Sequence, residues 1–129
     1  MMARSENGLA AALNEEQERF WRAAQSGVLL LKRCMQTGKV FHYPRDASPF
    51  TLGPTQWIES SGNGEIYSCS LAYRADPPYC IAYVRLDEGP LILTNVVAGQ
   101  LASVAIGQRV KVIFRAAGDG TLVPMFTPI

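Results

Sequence analysis

Neither acid nor base predominates in this sequence: 12 Lys and Arg stand against 11 Asp and Glu, a net charge of +1. No broad field therefore draws nucleic acid or an anionic membrane surface to the chain. No apolar stretch approaches the roughly 18 residues of a membrane-spanning helix, and residues 1–16, MMARSENGLAAALNEE, hold no apolar core of signal-peptide length. The expectation is a cytoplasmic protein with no membrane and no nucleic-acid partner. Histidine occurs once, at His42, and cysteine three times, at Cys34, Cys69 and Cys80, which is too sparse for a disulfide framework. Glycine-rich phosphate loops, a nucleophile elbow and metal-binding helix motifs are missing, and SGNG at 61–64 reads as a turn. His42 has no evident nucleophile to deprotonate, and Lys32 and Arg33 alternate faces on a strand beside Cys34, so no coherent catalytic set can be named.

What is present is a chain of 129 residues, 48% of them hydrophobic, enough for one packed domain without metal or disulfide. Its centre, residues 64–97, reads as three strands joined by two turns. In 66–73, Tyr67, Cys69, Leu71 and Tyr73 share one face and Ser68 and Ser70 the other, the period of a half-buried strand. In 79–86, Cys80, Ala82, Val84 and Leu86 point inward and Arg85 outward, and Cys69 and Cys80 read as buried small hydrophobes. Asp87-Glu88-Gly89-Pro90 reverses the chain into 91–97.

Before the meander, Asn14 followed by Gln17, with acids between, predicts a capped helix running to about Ser26 and ended by Gly27. Residues before Asn14 hold only Leu9 and Leu13 as large apolar groups and suit a frayed turn or a separate short helix. The apolar stripe Phe20, Trp21 and Ala24 has two readings: it covers one end of the sheet, or it docks onto a partner. Residues 28–33 form a strand, the chain turns at Gly38 and returns through 41–45, and 46–55 is a loop leading to Trp57. After the meander, 98–106 is a connection with room for one helical turn. Val110, Val112 and Phe114 mark another strand, and Gly118-Asp119-Gly120 turns into a last one, which Pro124 marks as an edge. Counting from Trp57, about five strands with one longer connection suggest the OB-fold barrel.

A helix containing Phe20-Trp21, the VLLLKRC strand, a hairpin through Gly38, the Tyr43-Pro44-Arg45 exit and the SGNGEIYSCS barrel start occur in a particular order. Pro77-Pro78-Tyr79, the turn at 86–90, Leu93-Thr94-Asn95, Ile106-Gly107 and Pro124-Met125-Phe126 continue it. This series, over nearly the whole chain, resembles an acyl-CoA-associated family built from an N-terminal helical arm, a rubredoxin-like zinc ribbon and a C-terminal OB-fold. The resemblance implies a mainly β chain with an arm at 1–27, a ribbon hairpin at 28–55 and a five-stranded barrel at 56–129. It implies a non-catalytic accessory subunit that binds a thiolase-fold partner, such as a thiolase, an acyltransferase or a retro-aldolase shortening steroid side chains, and helps shape its acyl-CoA channel. A two-plus-two heterotetramer follows from the same likeness. Within it, Phe20, Trp21 and Arg22 are candidates for partner contact. Arg33, Lys39 and Arg45 are candidates for meeting CoA phosphates, against the alternative of solvated surface charge.

The sequence departs from that family at the metal. Two Cys-x-x-Cys knuckles would close a tetrahedral zinc site; here they read Cys34-Met35-Gln36-Thr37 and Ser48-Pro49-Phe50-Thr51. One ligand of four remains, hydroxyls do not ionise near neutral pH, and His42 and Asp46 are not at knuckle spacing, so no zinc or other cofactor is expected. Val40, Phe41, Tyr43 and Phe50 are then expected to hold the degenerate ribbon by packing. Two other classes remain open: a single-stranded nucleic-acid-binding OB-fold using Tyr67, Tyr73, Tyr79 and Tyr83 as stacking rings, and a stand-alone acyl-CoA-binding or acyltransferase protein.

Overall fold

Residues 14–129 are described by a computed structural model; the expected turn around Leu9 and Leu13 lies outside the described residues. Helix α1 (Glu15–Ala24) starts on a complete capping box, in which the Asn14 side chain accepts the Gln17 N–H at 2.8 Å and the Gln17 side chain accepts the Asn14 N–H at 3.2 Å. Gly27 follows at φ 77°, the left-handed turn expected beyond the helix. Strands β1 (Leu30–Cys34), β2 (Val40–Phe41) and β3 (Thr55–Glu59) form an antiparallel sheet in the order β2-β1-β3. Strands β4 (Asn63–Ala72), β5 (Tyr79–Leu86), β6 (Leu91–Val96), β7 (Arg109–Ala116) and β8 (Leu122–Pro128) close into a barrel in the order β4-β5-β6-β8-β7. This is the five-stranded OB-fold architecture, with a short 3₁₀ turn at Leu101–Ser103 in the longer connection. Among the described residues, no helix is long and apolar enough to cross a membrane.

Strand β5 obeys its sequence pattern residue by residue: Cys80, Ala82, Val84 and Leu86 are buried, and Tyr79, Ile81, Tyr83 and Arg85 are exposed. Strand β4 does not. Its register to β5 shifts between Ile66 and Ser68, a bulge that leaves Tyr67 opposite no partner and turns it outward, so Tyr67 and Cys69 no longer share a face. Cys69 is only half-buried, whereas Cys80 is enclosed. Nearby, a Cβ on Gly64 would lie 2.6 Å from the Arg85 carbonyl oxygen, so β4 approaches β5 at a distance only glycine permits.

Four further expectations need correction. The strand at Trp57 does not open the barrel: β3 pairs with β1 along its whole length, Lys32 opposite Trp57, so a boundary at 55/56 would cut through the ribbon sheet. The hairpin's return strand ends at Phe41, because Tyr43 turns to φ 66°. Tyr43 is 63% exposed and does not pack the hairpin, while Phe41 is buried edge-on against Phe50. Finally, Pro124 lies inside the barrel wall. The Phe126 and Pro124 carbonyls accept from Val97 N–H and the Thr94 hydroxyl, so Pro124 turns its missing N–H toward β6, where the ladder consists of the single pair Val96–Phe126.

One core unites these parts. Phe20 from α1 and Leu29 and Leu31 from the ribbon side cluster with Ile66, Val84, Leu86, Val110 and Phe126 of the barrel. The helix is also fastened to β8: the Gln25 carboxamide donates to the Leu122 carbonyl at 3.1 Å and accepts the Leu122 N–H at 2.9 Å, imitating a β-bridge across 97 residues of sequence. Gln25→Ala is expected to cost about 1–2 kcal/mol, read as a lower urea midpoint, and Gln25→Glu, which cannot donate, should not restore it. An unchanged midpoint in Gln25→Ala would show the pair to be incidental.

Candidate functional site: paired knuckles and the arm

The two degenerate knuckles have the same backbone, bond for bond. In the first, Cys34 N–H donates to Lys39 O at 2.8 Å, Cys34 O accepts Gly38 N–H at 2.8 Å, and the Thr37 hydroxyl accepts Lys39 N–H at 3.2 Å. In the second, Ser48 N–H donates to Gly53 O at 2.9 Å, Ser48 O accepts Leu52 N–H at 2.8 Å, and the Thr51 hydroxyl accepts Gly53 N–H at 3.1 Å. The fifth position is left-handed in both, Gly38 at φ 76° and Leu52 at φ 64°. Ser48 Oγ also accepts the Phe50 N–H at 3.0 Å.

This symmetry brings together the positions that the resemblance sets against zinc ligands. Cys34 Sγ lies 3.6 Å from Thr51 Oγ1, and neither Cys34 nor Ser48 has exposed surface. Burial raises the thiol's pKa, but the bonds from Ser48, Thr37 and Thr51 outweigh it and bring it down to about 6. One thiol and three neutral hydroxyls are not a zinc donor set. Among the described residues, no group of three or more His, Cys, Asp and Glu is placed to hold a metal. The His42 ring lies against Phe20 and Tyr43, at centroid distances of 5.6 and 4.5 Å, and burial pushes its pKa down to about 4.

The surface around the knuckles is apolar and cationic. Met35, Phe50 and Leu52 are exposed there; Leu52 is 82% exposed although a left-handed backbone disfavours any side chain but glycine's. Of the CoA candidates, Lys39 sits 5.3 Å from the Phe50 ring centre, Arg33 donates to Gln56 Oε1 at 2.7 Å, and Arg45 is exposed on the following loop. Each thus has its own surroundings. Of the partner candidates, Phe20 is only 7% exposed: it shares the buried stripe with Ala24 four residues on and serves the core. Trp21, edge-on to Phe20, is half-buried at the margin of that stripe, and Arg22 is exposed beside Glu18 at 3.9 Å.

Two features escaped sequence reasoning. Lys32, inside an apolar strand, is 4% exposed and clamps three elements: its Nζ lies 2.7 Å from Glu16 Oε2, donates to Thr55 Oγ1 at 3.0 Å and sits 4.5 Å above the Trp57 ring. The acid at Glu16 read as a first-turn residue, so its spacing from Lys32 carried no signal. On the barrel's outer wall, Tyr67, Tyr79, Ile81, Tyr83 and Leu93 are exposed, and Ile81, Tyr83 and Leu93 line a shallow groove of about 180 Å³ together with Ser68, Cys69 and Ser70. The rings of Tyr67, Tyr79 and Tyr83 are among those the sequence offered for stacking; what it did not announce is the bulge that turns Tyr67 outward.

Residues 57–115 match the model of the ChsH2 C-terminal OB-fold domain. A DUF35 domain-containing scaffold protein of Methanocaldococcus jannaschii is 31% identical over 106 residues, 75% of each chain. The chain belongs to the DUF35 family. A second DUF35 scaffold protein, of Methanothermobacter thermautotrophicus, is 31% identical over 78% of this chain and 82% of its own. A probable enoyl-CoA hydratase alpha subunit of Thermomonospora curvata is 28% identical over 91% of this DUF35 chain, which spans 39% of that relative's length. Among solved structures, a chain of the Ltp2-ChsH2(DUF35) aldolase superposes with a TM-score of 0.79 at 27% identity, covering 91% of this chain and 97% of that one. A DUF35 protein of Sulfolobus solfataricus, at TM-score 0.70 and 14% identity over 98% of both chains, shares the fold.

Proposed function

We propose that this DUF35 chain is a non-catalytic accessory subunit of an enzyme that makes or breaks carbon–carbon bonds in acyl-CoA esters. The observation that carries this reading is its likeness, over 91% of its length, to a chain of the Ltp2-ChsH2(DUF35) aldolase. The partner is a thiolase-fold thiolase or retro-aldolase, a steroid side-chain aldolase among them, in a two-plus-two heterotetramer. Trp21 and Arg22 on the arm and Met35, Phe50 and Leu52 on the knuckles meet that partner. Exposed apolar groups flanked by cations suit a protein interface, and Leu52 combines a left-handed backbone with a side chain 82% exposed. Phe20 acts from inside by seating the arm. Arg33, Lys39 and Arg45 meet the CoA phosphates at the joint.

Co-expression with the thiolase-fold protein encoded nearest to it tests this, with co-elution and turnover of CoA esters measured in the presence and absence of the chain. Trp21→Ala is expected to weaken association about tenfold or more, as a lost aromatic anchor does, with the barrel still folded. A partner that is soluble, active and indifferent to this chain would overturn the reading, and unchanged assembly of Trp21→Ala would remove the arm from it. The exposed Tyr67, Tyr79 and Tyr83 rings, with Arg85 4.9 Å from the Tyr67 ring centre, favour a second reading as a single-strand-binding face. Salt-dependent binding of an oligonucleotide would select it.

A further inference from the structure

The two knuckles share one backbone, and against the four-thiolate ribbon of the family resemblance Thr37, Ser48 and Thr51 stand where three ligands would be. We infer that a sulfur-centred cluster of hydroxyls has taken over the metal's structural task, so that the ribbon closes and stays joined to the helix and barrel without zinc. The argument is one of valence and size. Each of the three hydroxyls accepts a backbone N–H, Lys39 to Thr37, Phe50 to Ser48 and Gly53 to Thr51, which leaves its single proton free to point at Cys34 Sγ. Cys34 Sγ meets Thr51 Oγ1 at 3.6 Å, the Ser48 and Thr37 hydroxyls favour its ionised form as well, and the sulfur has no exposed surface, so the cluster is complete without a fourth party.

Its dimensions agree. In a tetrahedral site with Zn–S bonds near 2.3 Å, neighbouring sulfurs lie about 3.8 Å apart; the Cys34 Sγ to Thr51 Oγ1 distance is 3.6 Å. This pair has the edge length of a metal tetrahedron, and a direct hydrogen bond spans the edge that a central ion would bridge in a four-thiolate ribbon. The knuckles are thus geometrically intact and chemically converted, independently of what the surface around them binds.

The experiment compares the full-length chain with Thr37→Cys/Ser48→Cys/Thr51→Cys, both purified from zinc-supplemented medium. The natural chain is expected to carry less than about 0.1 equivalent of zinc and to melt at the same temperature with and without EDTA. The triple variant should carry about one equivalent and bind Co²⁺ with the visible absorption of a tetrahedral thiolate site, and EDTA should lower its melting temperature. Ser48→Ala, which removes the buried hydroxyl of the cluster, should lower the natural chain's melting temperature by roughly 5–10 °C. Stoichiometric zinc in the natural chain, melting sensitive to EDTA, or a Ser48→Ala variant as stable as its parent would each overturn the inference. So would a folded triple variant that binds no metal. Should the triple variant fail to fold, the metal content of the natural chain and the Ser48→Ala melt decide the matter by themselves.

Discussion

Lys32→Ala is expected to destabilise the chain by about 3 kcal/mol, the lower part of the range for breaking a buried ion pair by removing one partner. The physical reason is the acid left behind. Glu16 faces Lys32 at 2.7 Å with 19% of its side chain exposed, and without the ammonium its charge has lost its counter-ion in a largely dry site. The exposed fraction is why the low end applies, because Glu16 can swing partly into water. Thr55 Oγ1 loses its donor, and the Trp57 face loses the cation above it. Lys32→Met with Glu16→Met, which removes both charges and keeps the bulk, should recover most of the loss. Urea unfolding of Lys32→Met, Glu16→Met and the double variant gives the coupling directly. A Lys32→Ala variant within about 1 kcal/mol of its parent would mean that the three-way clamp contributes little beyond an ordinary surface pair.

Acid should act through His42. Its pKa is about 4 in the folded chain, lowered by burial from an ordinary value of 6.5. Between these values the unfolded chain binds the proton and the folded chain does not, so stability falls as pH drops from about 6.5 to about 4 and this contribution is level outside that window. Two and a half pH units correspond to on the order of 3 kcal/mol. Asp87 contributes in the same direction at lower pH, because Arg109, bonded to it through two contacts of 2.9 Å, holds its carboxyl down. The comparison that isolates the imidazole is therefore His42→Phe, which keeps a ring between Phe20 and Tyr43 and cannot be protonated. Denaturant midpoints at pH 7 and pH 4.5 should converge in His42→Phe relative to the natural chain. Equal pH dependence in both would place the imidazole in contact with water.

How much of this was legible depended on whether a local pattern or a long-range meeting decided the outcome. Strand β5 was readable because both of its faces follow period 2 without interruption, and α1 because its cap lies within four residues. The spacing of the two matching turns was readable too, Cys34 to Thr37 and Ser48 to Thr51. Strand β4 was not, since one extra residue at Tyr67 inverts the alternation and nothing in 66–73 announces it. Trp57 looked like the first barrel strand because its register is set by β1, more than twenty residues earlier. Phe20 and Trp21, adjacent and both aromatic, looked interchangeable as partner contacts; the helix phase put one inside and the other at the margin. Lys32 could not be read as buried, because only the docked helix supplies the carboxylate that makes its burial tolerable.

The bond pair between Gln25 and Leu122 orders events in time. On the ribosome the helix emerges well before the backbone that fastens it, which lies 97 residues further along the chain. Until Leu122 is in place, Phe20 has no complete core to enter, and the helix waits with its apolar stripe uncovered. A nascent chain stalled before β8 thus presents the same aromatic side chains that the finished protein puts away, and closure of the barrel is the moment at which the helix becomes part of the fold.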